Sequence, residues 1–284
     1  MQIYIYEATS QKGVAFFIKS RMKNLFILAF FFIKISVFGQ INPSGKTVET
    51  RFNLPANYQR LGVEKNSFGA YLRDFSLKND KAKVYFYNGE EKTNAQQVAV
   101  LDIDRGTKDL QQCADAVMRL RAEYLFVQKR LDEISFKTFG GVAMNYSKYK
   151  QGYRLNSQGF TKIKGVDNSR EGFRKYLDMV FSYANTYTLE KEMKSVKNLQ
   201  DLQIGDVFIV SNPKSYGHAM IVMDVAENQQ NKDKIFLLAQ SYMPAQDIHI
   251  VKNPKGGIWY SLKDLDNQLY TPEWTFPVSA LHRF

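Results

Sequence analysis

The stretch Asp109-Leu110-Gln111-Gln112-Cys113-Ala114-Asp115-Ala116-Val117-Met118-Arg119-Leu120 holds the only cysteine of a 284-residue chain. Asp109 suits an N-cap, and Gln112, three residues on, completes a capping box, so a helix is expected over residues 110–128. Cys113, Val117, Leu120 and Tyr124 recur at steps of four, three and four, which is one face of that helix. The cysteine then falls in the first turn. There, unpaired N–H groups and the positive end of the helix dipole stabilise a thiolate and lower its pKa. An unpaired cysteine is most often a small buried hydrophobe, and that alternative stands beside the nucleophile.

The second decisive stretch is Tyr216-Gly217-His218-Ala219-Met220-Ile221-Val222, which sets a histidine at the mouth of a strand, just behind a glycine. Ile204-Gly205-Asp206-Val207-Phe208-Ile209 precedes it as a turn and strand, with Asp206 expected to cap the turn. Strands are expected at residues 207–210, 219–225 and 235–239, with the polar run 227–233 as a hairpin loop. A hairpin centred on Gln229 places His218 directly opposite Gln240. Opposed residues share a face, so the amide oxygen of Gln240 can accept the second ring N–H of the imidazole and fix its tautomer.

Working outward, residues 84–87 read as a strand closed by Asn88-Gly89, and residues 98–102 as another. Residues 140–165 read as loops, and Ser169 caps a helix expected over 173–183. The aromatic tail, from Trp259-Tyr260 to Trp274-Thr275-Phe276, is expected to pack against the core. Helices followed by a strand meander make the fold α+β: a cysteine-bearing helix on an antiparallel sheet, with N-terminal and C-terminal embellishments. A composition 44% hydrophobic and 14% aromatic supports a real core.

Residues 22–39 have the grammar of a signal peptide. Met22-Lys23-Asn24 opens an apolar run from Leu25 to Phe38 that is broken by Lys34 and closes on Gly39. The run is too short for a transmembrane anchor, and no other stretch is long enough to span a bilayer. The chain is therefore expected to be exported, periplasmic or secreted, with no membrane span after cleavage. Residues 1–21 are expected to be an upstream extension with Met22 as the start, and residues 40–50 a polar lead into one domain over 51–284. The net charge is +11, of which residues 1–39 carry five Lys/Arg against one acidic residue, leaving +7 from Gln40 onward. No dense basic cluster with interleaved aromatics occurs, so nucleic acid is not an expected partner. Three scattered histidines and one cysteine make no zinc pattern, and no phosphate loop is present. No cofactor and no metal are expected.

A helix-opening Cys, a strand His and a polar residue on the next strand resemble the chain order of papain-like cysteine hydrolases, and most closely the NlpC-type cell-wall peptidases. Cys113, Gly205-Asp206, His218 and Gln240 are the matching positions. The resemblance implies a thiolate attacking an amide or ester carbonyl, with a cell-wall peptide, a glycan or another envelope amide as partner. Gln112-Cys113-Ala114 departs from the Asp-Cys-Ser of those enzymes. A closer resemblance, to the exported bacterial family called domain of unknown function 4846, covers nearly the whole mature chain. It rests on residues 109–120, 217–222 and 239–249, on Thr271-Pro272-Glu273-Trp274 and on Leu281-His282-Arg283-Phe284. That family has no assigned activity. The site expected from the residues is therefore Cys113, His218 and Gln240 as a catalytic triad, with Gln112, Arg119, Tyr216, Gln246, Asp247 and His249 as candidate substrate contacts. His249 alternates to the polar side of its strand, and His282 is expected at the surface or in packing. Asp224 lies too far along its strand to orient His218. A non-catalytic binding or scaffold module on the same frame is the alternative.

Overall fold

An apolar run without polar interruption asks for a sheet covered on both faces, and Ala219-Met220-Ile221-Val222-Met223 is of that kind. In the computed structural model, which describes residues 37–156, 159–212 and 215–284, this segment is the middle of the main sheet. The expected upstream extension, residues 1–21, and the expected signal peptide as far as residue 36 lie outside the described residues. The strands are β1 (Tyr58–Arg60), β2 (Gln97–Val100), β3 (Lys194–Ser195), β4 (Val207–Val210), β5 (His218–Asn228), β6 (Lys234–Gln240), β7 (His249–Val251) and β8 (Tyr260–Ser261). After them come β9 (Gln268–Tyr270), β10 (Thr275–Pro277) and β11 (Leu281–Arg283). The main sheet runs β2-β7-β6-β5-β4-β11-β3, with β1 beside β5 and β8 beside β6. All of its described pairings are antiparallel. The fold is α+β.

One face carries the helices α1 (Val48–Arg51), α2 (Phe68–Arg73) and α3 (Cys113–Val127). Tyr71 of α2 packs on Tyr124 of α3 at 5.7 Å between ring centroids. Arg73 Nε reaches down to Asp224 Oδ1 at 2.9 Å, and Arg60 Nε meets the other oxygen at 2.7 Å. Asp224 is thus a buried structural anion held by two guanidinium groups. The opposite face is covered by the tail, where Tyr260 stacks on Phe236 and Phe276 packs on Phe208. The tail is packed, as its aromatic content suggested. Further on lie α4 (Arg170–Tyr183), capped by the Ser169 hydroxyl accepting from Gly172 N at 2.9 Å, and α5 (Thr186–Glu192).

Several elements differ from the sequence reading. Helix α3 starts at Cys113 rather than Leu110, because Asp109 is used elsewhere: its carboxylate accepts from Ala245 N at 2.6 Å and from Gln112 Nε2 at 3.0 Å. Asp115 takes over at the helix start, accepting from Gln112 N at 3.1 Å. Residues 84–87 form only isolated bridges, Tyr85 to Glu91 and Phe86 to Gln246, around the Gly89 turn. Residues 140–165 are not all loop. Ser135–Lys137 pairs with Ala143–Asn145, Tyr153–Asn156 pairs with Gly159–Lys162, and a short helix, Tyr146–Lys150, lies between. Such hairpins are too short for alternation to reveal. The segment 40–50 is folded onto the body: Gln40 Oε1 accepts from Ile258 N at 3.0 Å, and Thr47 caps α1.

The β5–β6 register also corrects the expectation. Lys234 pairs with Glu227, three residues from the expected partner, because the Asn228 side chain accepts from Gln230 N and Asn231 N and moves the turn outward. A three-residue offset alone would put His218 and Gln240 on opposite faces. A β-bulge between Leu237 and Leu238 leaves Met223 without a partner, so that Ala239 pairs with Ile221. The remaining offset is even. Gln240 falls level with Met220 and shares a face with His218.

Candidate functional site

Strand alternation decides where the sulfur can sit. Val222 turns its backbone groups toward β4, with its N–H on Asp206 O at 2.8 Å and its carbonyl accepting from Gly205 N at 2.9 Å. By alternation, Gly217 O and Ala219 N point the other way, toward β6, which ends at Gln240. The chain turns off at Ser241, whose hydroxyl donates to Gln111 O at 2.9 Å. Cys113 Sγ occupies the gap. It lies 3.8 Å from Gly217 O and 3.9 Å from the Thr186 hydroxyl, and the N–H groups of Ala114 and Ala219 are directed at it.

His218 stands between those two backbone contacts, and its ring rises on the tail-covered face. Its Nε2 is 2.9 Å from Gln240 Oε1. An amide oxygen only accepts, so Nε2 carries the proton and Nδ1 is the basic nitrogen. The ring is enclosed by Tyr242, Trp274 and Phe276, at centroid separations of 4.8, 5.4 and 5.7 Å. Gln240 Nε2 donates to Glu273 Oε2 at 2.5 Å, and Glu273 pairs through its other oxygen with Lys92. Sequence reasoning missed Thr186, Tyr242, Glu273 and Lys92. The one available signal was that Thr271-Pro272-Glu273-Trp274 is among the stretches that carry the family resemblance.

No hydrogen bond joins Sγ to the imidazole in this structure. The thiol is 5% exposed, and burial followed by the nearby Asp115 carboxyl pushes its pKa up to about 11, against smaller opposing effects of Thr186 and the two N–H groups. The lowered thiol pKa expected from the helix start is therefore overturned: burial outweighs the dipole. Asp115, itself buried, is held well above the usual carboxylate range by the same cause. Burial also lowers His218 to about 4, opposed by the Gln240 hydrogen bond and Glu273. At neutral pH the pair is a thiol beside a neutral imidazole.

A groove of about 390 Å³ opens over Cys113, between the start of α3, the start of α5 and the segment before β5. Of the six residues expected as substrate contacts, Gln112 and Tyr216 line it. The other four candidates lie elsewhere. Arg119 is buried and bound to Glu123 at 2.7 Å, Asp104 at 2.8 Å and Gln111 at 2.9 Å, and so is structural. Asp247 is buried and accepts from Lys78 at 3.0 Å and from Tyr85 N at 3.0 Å. Gln246 is fully buried. His249, expected on a polar strand side, is 0% exposed and level with Gln240, because β7 is an interior strand with both faces covered. Its Nδ1–H donates to Asp247 O at 2.9 Å, and burial lowers its pKa to about 4. His282 is part-buried on β11, with Nδ1 2.9 Å from Ala280 O. Among the described residues, no group of three His, Cys, Asp or Glu side chains is placed to hold a metal ion, and no helix is long and apolar enough to cross a membrane.

These features define a class: an α+β domain with a helix-opening cysteine lodged in the open ladder of a central antiparallel sheet, beside an amide-bound histidine. The chain belongs to the family described as domain of unknown function (4846), whose sequence model matches residues 48–283. No curated protein and no solved structure matches it.

Proposed function

We propose that this protein is an exported thiol hydrolase with a papain-like, NlpC-like arrangement, acting on an amide or ester of the cell envelope. The observation that carries the reading is the hydrogen bond from His218 Nε2–H to Gln240 Oε1, which leaves Nδ1 as the basic nitrogen next to the strand backbone on which Cys113 Sγ rests. Cysteine, histidine and amide then occupy the roles of nucleophile, base and orienter.

In this reading the Cys113 thiol proton passes to His218 Nδ1 as sulfur bonds to the acyl carbon. The carbonyl oxygen, now negative, is met by the first N–H groups of α3, which have no intrahelical partner. The C–N or C–O bond then breaks, and the imidazolium gives its proton to the leaving amine or alcohol. Water, deprotonated by Nδ1, cleaves the thioester, releases the acid and restores the thiol. Because the resting pair is neutral, the base acts in the attacking step rather than by storing a thiolate.

Intact-mass analysis after mixing with p-nitrophenyl acetate tests this. One acetyl group on Cys113 is expected, formed roughly 10²- to 10⁴-fold more slowly in His218→Ala, the range typical of a general base. Acetylation elsewhere, or equal rates in the two proteins, would count against it. A second reading rests on the groove rim, where Phe139 and Tyr216 are 67% and 73% exposed. Such aromatics suit a module that binds an envelope peptide or glycan without chemistry. That module would leave Cys113 unacylated, and its ligand binding would survive Cys113→Ala.

A further inference from the structure

A primary amide is nearly symmetric in shape, and this makes Gln240 an ambiguous partner for a histidine. Turned one way it offers Oε1 and requires a proton on His218 Nε2; turned the other it offers N–H and requires that nitrogen bare. Only the first leaves Nδ1 able to take a proton. Something else must set the choice.

The neighbour on the far side of Gln240 is Glu273, whose carboxylate can only accept. Its Oε2 receives Gln240 Nε2–H at 2.5 Å, so the amide must present Oε1 to the ring 2.9 Å away. Lys92, 7% exposed, pairs with the remaining Glu273 oxygen and lies 5.4 Å over the Tyr242 ring. With an ammonium on one oxygen and the amide N–H on the other, the Glu273 carboxylate acts only as an acceptor. The same short segment supplies Trp274, packed on the imidazole at 5.4 Å. The tail that closes one face of the sheet therefore also dictates the chemistry of the ring it covers.

We propose that Glu273, held by Lys92, is the positioning residue that fixes the tautomer of His218 through Gln240. The inference rests on the hydrolase reading for its purpose, while its geometry is independent of it. A four-member line, Lys92, Glu273, Gln240 and His218, then runs from the tail to the imidazole, and each member limits the next to one hydrogen-bonding role.

The test is long-range ¹H–¹⁵N correlation spectroscopy of ¹⁵N-histidine-labelled full-length protein at pH 7, with His218 assigned from the spectrum of His218→Ala. In the wild type, His218 is expected as one tautomer, protonated on Nε2. Glu273→Gln offers Gln240 either end of an amide, so that single tautomer is lost to a mixture, and Cys113 acetylation falls at least about tenfold, as when an outer partner of a functional histidine is removed. The exchanged pair Gln240→Glu with Glu273→Gln puts an acceptor-only group directly on Nε2–H and should restore the single tautomer. An Nδ1-protonated wild type overturns the proposal, and this needs no variant to fold. So does a Glu273→Gln protein that keeps one Nε2–H tautomer. A Glu273-dependent tautomer with no acetylation in any protein supports the positioning role and removes the hydrolase reading instead.

Discussion

His218 is bound to Gln240 and His249 is paired with it across the sheet; both histidines are buried and both are lowered to about 4. An unfolded histidine titrates near 6.5, so between these values the unfolded chain binds protons that the folded chain refuses. Stability rises with pH wherever the unfolded state holds more protons, so this contribution is complete above pH 6.5 and fades toward pH 4. Asp115, raised by burial, acts in the opposite sense, and a comparison of variants removes it from the balance. His249→Gln should take up about one proton fewer on unfolding near pH 5 than the wild type. Urea unfolding followed from pH 7 to pH 4 measures this. Equal uptake in both proteins would mean that His249 is already charged in the fold.

Among the elements, β5 is entered through a tightly enclosed glycine, Gly217. A Cβ on Gly217 would lie 2.5 Å from the backbone oxygen of Val210 and 3.0 Å from Thr186 Cγ2, which belongs to the groove lining. Gly217→Ala is expected to destabilise by about 1–3 kcal/mol, as overpacking does, and to slow Cys113 acetylation by moving the strand on which the sulfur rests. Thermal melting together with the acetylation rate checks both. Unchanged melting and rate would place the strand start farther from the sulfur than the structure has it. This scale also shows what the sequence could reveal. Periodicity and caps located α3, α4 and β4 to β6, because those segments are long and strongly patterned. The sharing of a face by His218 and Gln240 was anticipated, but from a register that the Asn228 turn and the Met223 bulge both alter. Local pattern carries no sign of a bulge. His249 was misjudged for a related reason: alternation separates inside from outside only when one face of a sheet meets water.

For the whole molecule, the tail could be read from sequence as packed, but its partner could not. Glu273 reaches Gln240 across 33 positions of sequence and Lys92 across 181, and no spacing rule spans such distances. In the proposed reading the chain is exported under the signal at residues 22–39. The mature protein, recovered from the envelope or medium of the producing cell and analysed by mass spectrometry, is then expected to begin at about Gln40. Gln40 is part of the fold, with its side chain on Ile258 N, so cleavage there would leave the domain intact. Recovery only from the cytoplasm, with residues 22–39 still attached, would contradict export.

The central claim is that Cys113 attacks with His218 as its base, and the pH dependence of Cys113 acetylation tests it most directly. A neutral imidazole lowered to about 4 beside a thiol raised to about 11 predicts a rate that is nearly flat from pH 5 to 8. In His218→Ala the same rate should climb about tenfold per pH unit, as free thiolate becomes the only nucleophile. A tenfold climb per unit in both proteins would contradict the account, leaving Cys113 an ordinary buried thiol and the groove a binding site.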